Sequence, residues 1–240
     1  MEIIPREEWG AKAPGGPNPN RTIALPAPEI WIHHTVTPVT PEKEVLRNFQ
    51  QTHINRAKSE GWSVWDIAYN FIIFPTGNIY EGRGWGKYGV HTQDHNHLGH
   101  GIAFAGNYND RSPTVESLDA ARWLIAHGRS KGYVWATGSL PTGGHRDVWA
   151  TACPGSKLYA KLDYLRQEYD MAFTSEQERF LKAVVAAIKD LGVGTDETAR
   201  EVVRRVLKVA GSHPRDVNDK ATHATTAAGP HTHAVTGTAK

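Results

Sequence analysis

The chain has 240 residues, of which 39% are hydrophobic and eight are tryptophans, enough apolar material for one sizeable domain and a smaller appendage. The formal net charge of +2 gives no excess of positive charge that would favour a nucleic-acid partner. The N-terminal residues form no apolar signal segment and no run of about 18 apolar residues occurs, so we expect a protein made in the cytoplasm and not inserted into a membrane.

The first elements that the sequence predicts are an arm and a strand. Residues 10–28 are rich in proline, glycine and asparagine, which indicates an ordered or partly ordered arm. The apolar segment 29–36 is rich in β-forming residues and predicts a buried strand. His33 and His34 lie at the C-terminal end of that strand.

A helix and a hairpin follow in the predicted order. Thr40 and Pro41 indicate a helix that begins with threonine as its N-cap and proline in its first turn, and that ends near Lys58. Segments 69–74 and 78–83 flank the turn residues Pro-Thr-Gly, a strong signal for a β-hairpin.

The second half of the predicted domain contains one more strand and more helix. Segment 101–106 predicts a central strand, and Ser112 with Pro113 predicts the start of a helix. The apolar face of this helix comprises Leu118, Ala121, Leu124, Ile125 and Gly128. Leucines with helical spacing near residues 158–169 predict a last helix against the sheet. The predicted fold is therefore α/β (α+β), a central mixed β-sheet flanked by helices in three layers.

The character of the chain changes after residue 171. A capping box at Ser175 opens an apolar helical pattern, and a second helical pattern ends at Gly211. Almost no large apolar residue follows, which is typical of disorder. We predict a main domain over residues 1–171, a helical hairpin over 175–211 and a disordered tail over 212–240.

Cys153 is the single cysteine of the chain, so it cannot form an intrachain disulfide. His145 lies eight positions before it, and the pair His33-His34 lies far upstream. Two imidazoles and one thiolate are the ligands of a catalytic zinc that keeps its fourth position for water. An inert buried thiol and a cysteine nucleophile are the alternatives.

Several motifs occur in one unbroken order over about residues 3–168. They are Ile-Ile-Pro-Arg-Glu-Glu-Trp-Gly-Ala at the start, Ile-His-His-Thr at 32–35, Asp-Ile-Ala-Tyr-Asn-Phe at 66–71, Gly-Asn-Ile-Tyr-Glu-Gly-Arg at 77–83, His91-Thr92 with Asn96, Gly-Asn-Tyr at 106–108, and His-Arg-Asp-Val with Thr-Ala-Cys-Pro-Gly at 145–155. This pattern resembles the zinc-dependent N-acetylmuramoyl-L-alanine amidases of type 2, whose fold is shared with peptidoglycan recognition proteins and many phage endolysins.

The resemblance implies one Zn²⁺ per chain, bound by His33, His145 and Cys153. His33 is the family match, since the ligand is the first histidine of the pair. Strand alternation independently places His33 and His34 on opposite faces, so that only one of them can point into the site.

The resemblance also implies roles for residues around the metal. Tyr69 is expected to orient the nucleophile and to stabilise the intermediate, and Thr151 is a candidate catalytic residue where some phage enzymes carry lysine. His91 and Asn96 are candidate substrate-binding residues. Asp147 is expected either to support a neighbouring ligand or to form a surface salt bridge.

The function implied by the resemblance is hydrolysis of the bond between N-acetylmuramic acid and L-alanine in peptidoglycan. We expect a phage endolysin for host lysis, made without a signal peptide and released to the cell wall by a holin. A cytosolic recycling amidase and a receptor-like peptidoglycan-binding module without activity are the alternatives. The C-terminal helices are expected to bind the wall or to mediate self-association.

Overall fold

The computed structural model describes residues 1–169, and the predicted hairpin and tail lie outside the described residues. Within residues 1–169, six strands form one sheet and five α-helices accompany it. The strands are β1 (Ile3–Ile4), β2 (Glu29–His34), β3 (Phe71–Ile73), β4 (Ile79–Glu81), β5 (Gly99–Phe104) and β6 (Gly143–Gly144). The helices are α1 (Arg6–Trp9), α2 (Glu42–Ser59), α3 (Val115–Ser130), α4 (Ser156–Tyr159) and α5 (Leu162–Arg166).

The sheet is mixed, as predicted, with the order β1-β4-β3-β5-β2-β6. Its single antiparallel pair among the described strands is β3 with β4, which confirms the predicted hairpin. The central strands β5 and β2 run parallel, paired from Glu29 with Gly99 to His34 with Phe104. Because β2 is buried along nearly its whole length, the apolar run predicted at 29–36 forms a central strand and ends at His34.

Apolar side chains cover both faces of the sheet and produce the three predicted layers. On one face, Ile30 and Ile32 of β2 pack with the apolar side of α3 and with leucines of α4 and α5. On the other face, Ala103 and Ala105 lie in a cluster with Leu46 of α2. His33 is in register with Ala103, so its side chain emerges on the α2 side of the sheet.

Two helices begin later than the sequence predicts. Helix α2 begins at Glu42 with Pro41 as an extended N-cap, and no side chain caps it, so the predicted cap at Thr40 is wrong by one residue. Helix α3 begins at Val115, because Thr114 and not Ser112 is the N-cap. The Thr114 hydroxyl accepts a hydrogen bond from the Ser117 backbone amide at 3.2 Å, which satisfies a donor of the first turn.

The last predicted helix is two short helices, α4 and α5, separated by a break at Ala160 and Lys161. Their leucines are nevertheless buried as predicted, because the break preserves the side that faces the core. The N-terminal arm is ordered, and Gly15 pairs with Trp65 through two backbone hydrogen bonds of 3.0 and 2.9 Å. Within residues 1–169, no helix combines the length and the apolar character needed to cross a bilayer.

Candidate metal centre

The ends of two parallel strands bring the first two predicted ligands together. Strand β6 pairs with β2, and Ile32 is in register with Gly144. His33 and His145 directly follow this matched pair, so both emerge near the carboxyl ends of adjacent strands. Ligand sites of open α/β sheets lie at such strand ends. The imidazole centroids of the two histidines are 4.8 Å apart.

A tight loop returns the chain from His145 to Cys153. The Arg146 backbone amide donates to the Cys153 carbonyl at 3.0 Å, and the Arg146 guanidinium donates to the Ala152 carbonyl. One Asp147 carboxylate oxygen accepts from the Gly144 amide at 2.9 Å, and the other accepts from the Tyr159 hydroxyl at 2.5 Å. Asp147 therefore holds the loop that begins with His145, while its two predicted roles, support of a neighbouring ligand or a surface salt bridge, stay predictions.

The three predicted ligands form one cluster, and their ligand atoms all lie within 4.8 Å of one another. The Cys153 Sγ atom is 3.6 Å from Nδ1 of His33. Zinc bonds of about 2.3 Å to sulfur and about 2.05 Å to nitrogen, set at a tetrahedral angle, place the two ligand atoms about 3.5 Å apart. The observed separation therefore fits a shared zinc ion, and it identifies Nδ1 as the ligand atom of His33.

Backbone and side-chain donors orient the cysteine. Its Sγ accepts a hydrogen bond from the His34 backbone amide at 3.4 Å. The Cys153 amide donates to Oγ1 of Thr151 at 3.2 Å. The structure thus gives Thr151 a part in shaping the loop before the ligand, while its predicted catalytic role stays a prediction.

Burial keeps the histidine ligands uncharged. It lowers the pKa of His33 well below the usual range, and the neighbouring His91, His145 and His34 lower that pKa further. Burial also lowers the pKa of His145. Neutral imidazole is the form that binds metal, so both side chains are ready ligands at neutral pH.

Burial shifts the pKa of the Cys153 thiol upward, opposite to its effect on the two histidines. Desolvation raises its pKa to about 11, although the His34 amide and the Arg146 charge partly offset this effect. Zinc must therefore displace a proton from the sulfur, and zinc affinity should increase with pH. A raised pKa disfavours the cysteine-nucleophile alternative, because that chemistry needs a thiolate stabilised without metal.

Tyr69 forms an aromatic wall beside the metal ligands. Its ring centroid is 5.0 Å from that of His33, and Phe49 of α2 stacks behind it at 6.0 Å. Burial raises the pKa of the Tyr69 hydroxyl, and the nearby Cys153 raises it further. Tyr69 therefore keeps its proton and can donate a hydrogen bond, while its predicted catalytic role stays a prediction.

The predicted substrate-binding residues lie in the loop before β5. His91 is buried, and its ring centroid lies 5.2 Å from that of His33. The side-chain oxygen of Asn96 accepts hydrogen bonds from the amides of His91 and Thr92, at 2.8 and 2.9 Å. Asn96 therefore fixes the loop, and substrate contacts by either predicted residue stay predictions.

Sequence reasoning missed a role for Thr92, whose hydroxyl oxygen lies 3.2 Å from Nε2 of His33. The only sequence signal for this role was that Thr92 follows His91 in the motif. The contact itself joins Thr92 to His33 across 59 positions and forms only in the folded loop. His34 points away from the cluster, as predicted from strand alternation. Its Nδ1 accepts from the Tyr108 amide at 3.2 Å.

The buried His100 lies outside the cluster of predicted ligands. Its ring is fully buried on β5, and Nε2 accepts a hydrogen bond from the Gly86 amide at 2.9 Å. Trp85 packs edge-on against it with a centroid separation of 4.9 Å. Register places His100 on the face of Ile102, opposite to the metal cluster, so it is not a ligand.

Comparison with known proteins identifies relatives in the family that the motifs resemble. A family model described as N-acetylmuramoyl-L-alanine amidase matches residues 24–156. A pig (Sus scrofa) N-acetylmuramoyl-L-alanine amidase is 37% identical over 169 residues, which cover 67% of this chain and 26% of the pig protein. A peptidoglycan recognition protein of Trichoplusia ni is 35% identical over 164 residues, which cover 67% of this chain and 85% of that protein. The chain thus spans about a quarter of the pig relative and most of the insect relative.

Solved structures show the same fold. Drosophila PGRP-LB is 34% identical with a TM-score of 0.61, over 72% of this chain and 99% of that chain. Peptidoglycan recognition protein-LE, solved in complex with tracheal cytotoxin, a monomeric diaminopimelic acid-type peptidoglycan, is 34% identical with a TM-score of 0.61, over 70% and 96% of the two chains. With a family model that matches more than half of its length, the chain belongs to the type 2 N-acetylmuramoyl-L-alanine amidase family, together with the peptidoglycan recognition proteins.

Proposed function

We propose that this protein is a zinc-dependent peptidoglycan hydrolase that cleaves the amide bond between N-acetylmuramic acid and L-alanine of the stem peptide. One observation carries the proposal: Cys153 Sγ and His33 Nδ1 lie 3.6 Å apart in a cluster completed by His145. Three such ligands leave one coordination position open, which is typical of catalytic zinc. The family membership and the relative in complex with a monomeric peptidoglycan support the substrate class.

The side chains around the cluster suit amide hydrolysis. Zinc held there would supply Lewis acidity and lower the pKa of water toward about 7. Tyr69 keeps its hydroxyl proton, so it can donate a hydrogen bond to an oxygen that gains negative charge in the transition state. Because His33 and His145 are uncharged, each has one unprotonated ring nitrogen that can bind the metal.

A receptor that binds peptidoglycan without cleaving it is the second candidate. It is favoured by the number of relatives named recognition proteins. The complete ligand set together with Tyr69 supports the hydrolase instead, because binding alone has no need for a zinc centre with an open position.

The deciding experiment is digestion of purified cell wall by the zinc-loaded protein, with and without a chelator. We expect release of stem peptides, no new reducing sugar ends, and about one zinc ion per chain, with release abolished by the chelator. His145→Ala and Cys153→Ala should lose metal and activity together, because each removes one ligand. The exposed His97→Ala is the matched control and should keep both.

Each of the other possible outcomes would indicate a different function for this protein. New reducing ends would indicate a glycosidase and contradict the proposal. Wall binding without any release would indicate the receptor. Loss of activity with a thiol alkylator, but not with a chelator, would indicate a cysteine hydrolase.

The biological setting stays a prediction. A phage endolysin that a holin releases is expected to lyse intact bacteria when holin and enzyme are produced together. A cytosolic recycling amidase would act on soluble muramoyl peptides and leave intact walls unchanged. Comparing hydrolysis of the two substrates separates these settings.

A further inference from the structure

The second ring nitrogen of His33 is engaged in a buried hydrogen-bond chain. Nε2 of His33 lies 3.2 Å from Oγ1 of Thr92, and the same oxygen lies 2.9 Å from Nδ1 of His91. All three side chains are buried, with exposed fractions of 0%, 1% and 7% for His33, Thr92 and His91. Hydrogen bonds of this kind are little weakened by competing water.

The loop that carries the chain is fixed independently of the Thr92 hydroxyl. Asn96 accepts from the backbone amides of both His91 and Thr92. Gly101 of β5 gives the His91 ring room, because a Cβ atom there would lie 2.5 Å from the ring. The positions of His91 and Thr92 therefore do not depend on the contact with His33.

The chemistry of the three side chains determines the donor-to-acceptor direction of the hydrogen-bond chain. Nδ1 of His33 faces the Cys153 sulfur at 3.6 Å, so a neutral His33 that binds metal must carry its proton on Nε2. In that tautomer the Nε2 proton is directed at Thr92 Oγ1, which lies 3.2 Å away and accepts the hydrogen bond. A hydroxyl has a single proton of its own, which Thr92 then donates to Nδ1 of His91.

We propose that Thr92 and His91 form an oriented hydrogen-bond chain that holds His33 in the Nε2-protonated tautomer and thereby strengthens zinc binding. The proposal rests on the proposed function only in that the cluster binds zinc. It makes Thr92 and His91 positioning residues, which act on the metal through His33. It also gives His91 a role other than the predicted contact with substrate.

The direction of the hydrogen-bond chain explains why its middle residue, Thr92, must carry a hydroxyl group. Only a group that accepts one hydrogen bond and donates another can join the Nε2–H of His33 to the bare Nδ1 of His91. A serine retains this property, whereas a valine retains the shape of threonine and loses both hydrogen bonds. The pair of substitutions thus separates hydrogen bonding from packing.

The first test is the zinc dissociation constant of the full chain, measured by competition with a chromogenic chelator. Thr92→Val should weaken zinc binding by about 10- to 100-fold, the usual effect of losing a group that orients a metal ligand. Thr92→Ser should restore affinity to within about threefold of the unchanged protein. Thr52→Val, at an exposed position of α2, is the matched control and should bind zinc normally.

Nitrogen NMR of the imidazoles gives a readout that packing alone would not move. Before substitution, His33 in the zinc-loaded protein should show a protonated Nε2 and His91 an unprotonated Nδ1. Thr92→Val should shift the His91 ring toward a mixture of tautomers. A His91 ring protonated on Nδ1 in the unchanged protein would overturn the chain direction.

Substitution of His91 tests the far end of the chain. An asparagine oxygen can replace Nδ1 as the acceptor, so His91→Asn should bind zinc more tightly than His91→Leu. If zinc affinity is unchanged in Thr92→Val and in both His91 variants, the proposal is wrong. If the unchanged protein itself binds no zinc, the proposed function fails first. If the His91 variants show a higher KM and normal zinc affinity, His91 has the predicted substrate-binding role instead.

Discussion

Tyr69 keeps its proton because its surroundings disfavour a phenolate. Burial removes the solvent that would stabilise the anion, and repulsion from an ionised Cys153 would disfavour it further, so the pKa of the hydroxyl is raised. The side chain is therefore suited to donate a hydrogen bond at neutral pH. The same burial lowers the pKa of His33, so two neighbouring rings are both uncharged for one physical reason.

We predict that Tyr69→Phe lowers kcat by about a hundredfold, because the lost hydrogen bond forms with charge that develops in the transition state. Zinc content should stay at its original level, since the phenyl ring still packs against His33 at the site. Single-turnover kinetics and metal analysis of the same sample measure both quantities. A normal kcat with a lower melting temperature would instead make Tyr69 a packing residue.

Among the residues of the site, the sequence could identify those that belong to contiguous motifs. His33, His145 and Cys153 were predicted as ligands, and the structure places them in one cluster. Thr92 could not be identified in the same way, because its role depends on a contact with His33 across 59 positions. Asn96 has the same limitation, because its backbone contacts exist only once the loop has formed.

Strand β5 separates two chemically different histidine environments. On its α2 side the strand presents Gly101, against which His91 packs. On its α3 side it presents His100, which accepts a hydrogen bond from Gly86. Burial lowers the pKa of His100 to about 3. One strand thus carries a buried neutral imidazole that has no part in the metal centre.

We predict that His100 makes the fold sensitive to acid. In the unfolded chain its pKa is near 6.5, so between pH 6.5 and about 3 the unfolded state binds one proton more than the folded state. The contribution to stability is constant above pH 7, falls as the pH drops through 6.5, and levels off near pH 3. At pH 5 the loss relative to neutral pH is about 2 kcal/mol.

The variant His100→Gln tests this prediction, because glutamine offers the Gly86 amide an acceptor but binds no proton. Urea unfolding of zinc-free protein at pH 7 and pH 5 gives the free energies, and the variant should lose about 2 kcal/mol less than the original between these two values. His97→Gln is the matched control, because it removes an imidazole from the surface. Equal losses in His100→Gln and the original protein would contradict the prediction.

Element boundaries were harder to predict than element types. The order of β2, α2, β3, β4, β5 and α3 agrees with the elements predicted from apolar, turn and capping signals, whereas α3 begins at Val115 because Thr114 satisfies the Ser117 amide. Both Ser112 and Thr114 are good N-cap residues, so local sequence alone does not choose between them. The two residues of β6 carry no periodicity at all, and the strand exists because Trp31 and Ile32 offer it an edge.

At the scale of the whole molecule, every residue proposed for catalysis precedes residue 170. Both apolar clusters that cover the sheet also lie within the described residues. The sequence predicts two further helices of about 35 residues in total, too few to bury a core of their own. Their apolar faces are therefore expected to contact the catalytic domain, another chain or the cell wall.

We predict that a chain truncated after Asp170 keeps zinc and hydrolyses soluble muramoyl peptides. Its attack on intact walls should weaken, or its oligomeric state should change, because the predicted helices are absent. Metal analysis, cell-wall pull-down and light scattering measure these effects. An insoluble or metal-free truncated protein would place the helices in the core of the catalytic domain and contradict the predicted boundary.

The pairing of β6 with β2 also determines when the three proposed zinc ligands can come together. His33 and Cys153 are 120 positions apart, and closing so long a loop is a late step in folding. A nascent chain that has not yet emerged as far as residue 153 lacks the thiol and can offer at most His33 and His145. In the finished protein, opening of the two-residue edge strand would separate the ligands while the central strands remain paired. For the proposed zinc centre we therefore expect that fluctuation of this edge sets the lifetime of the bound metal, so that metal is lost on heating before the core unfolds.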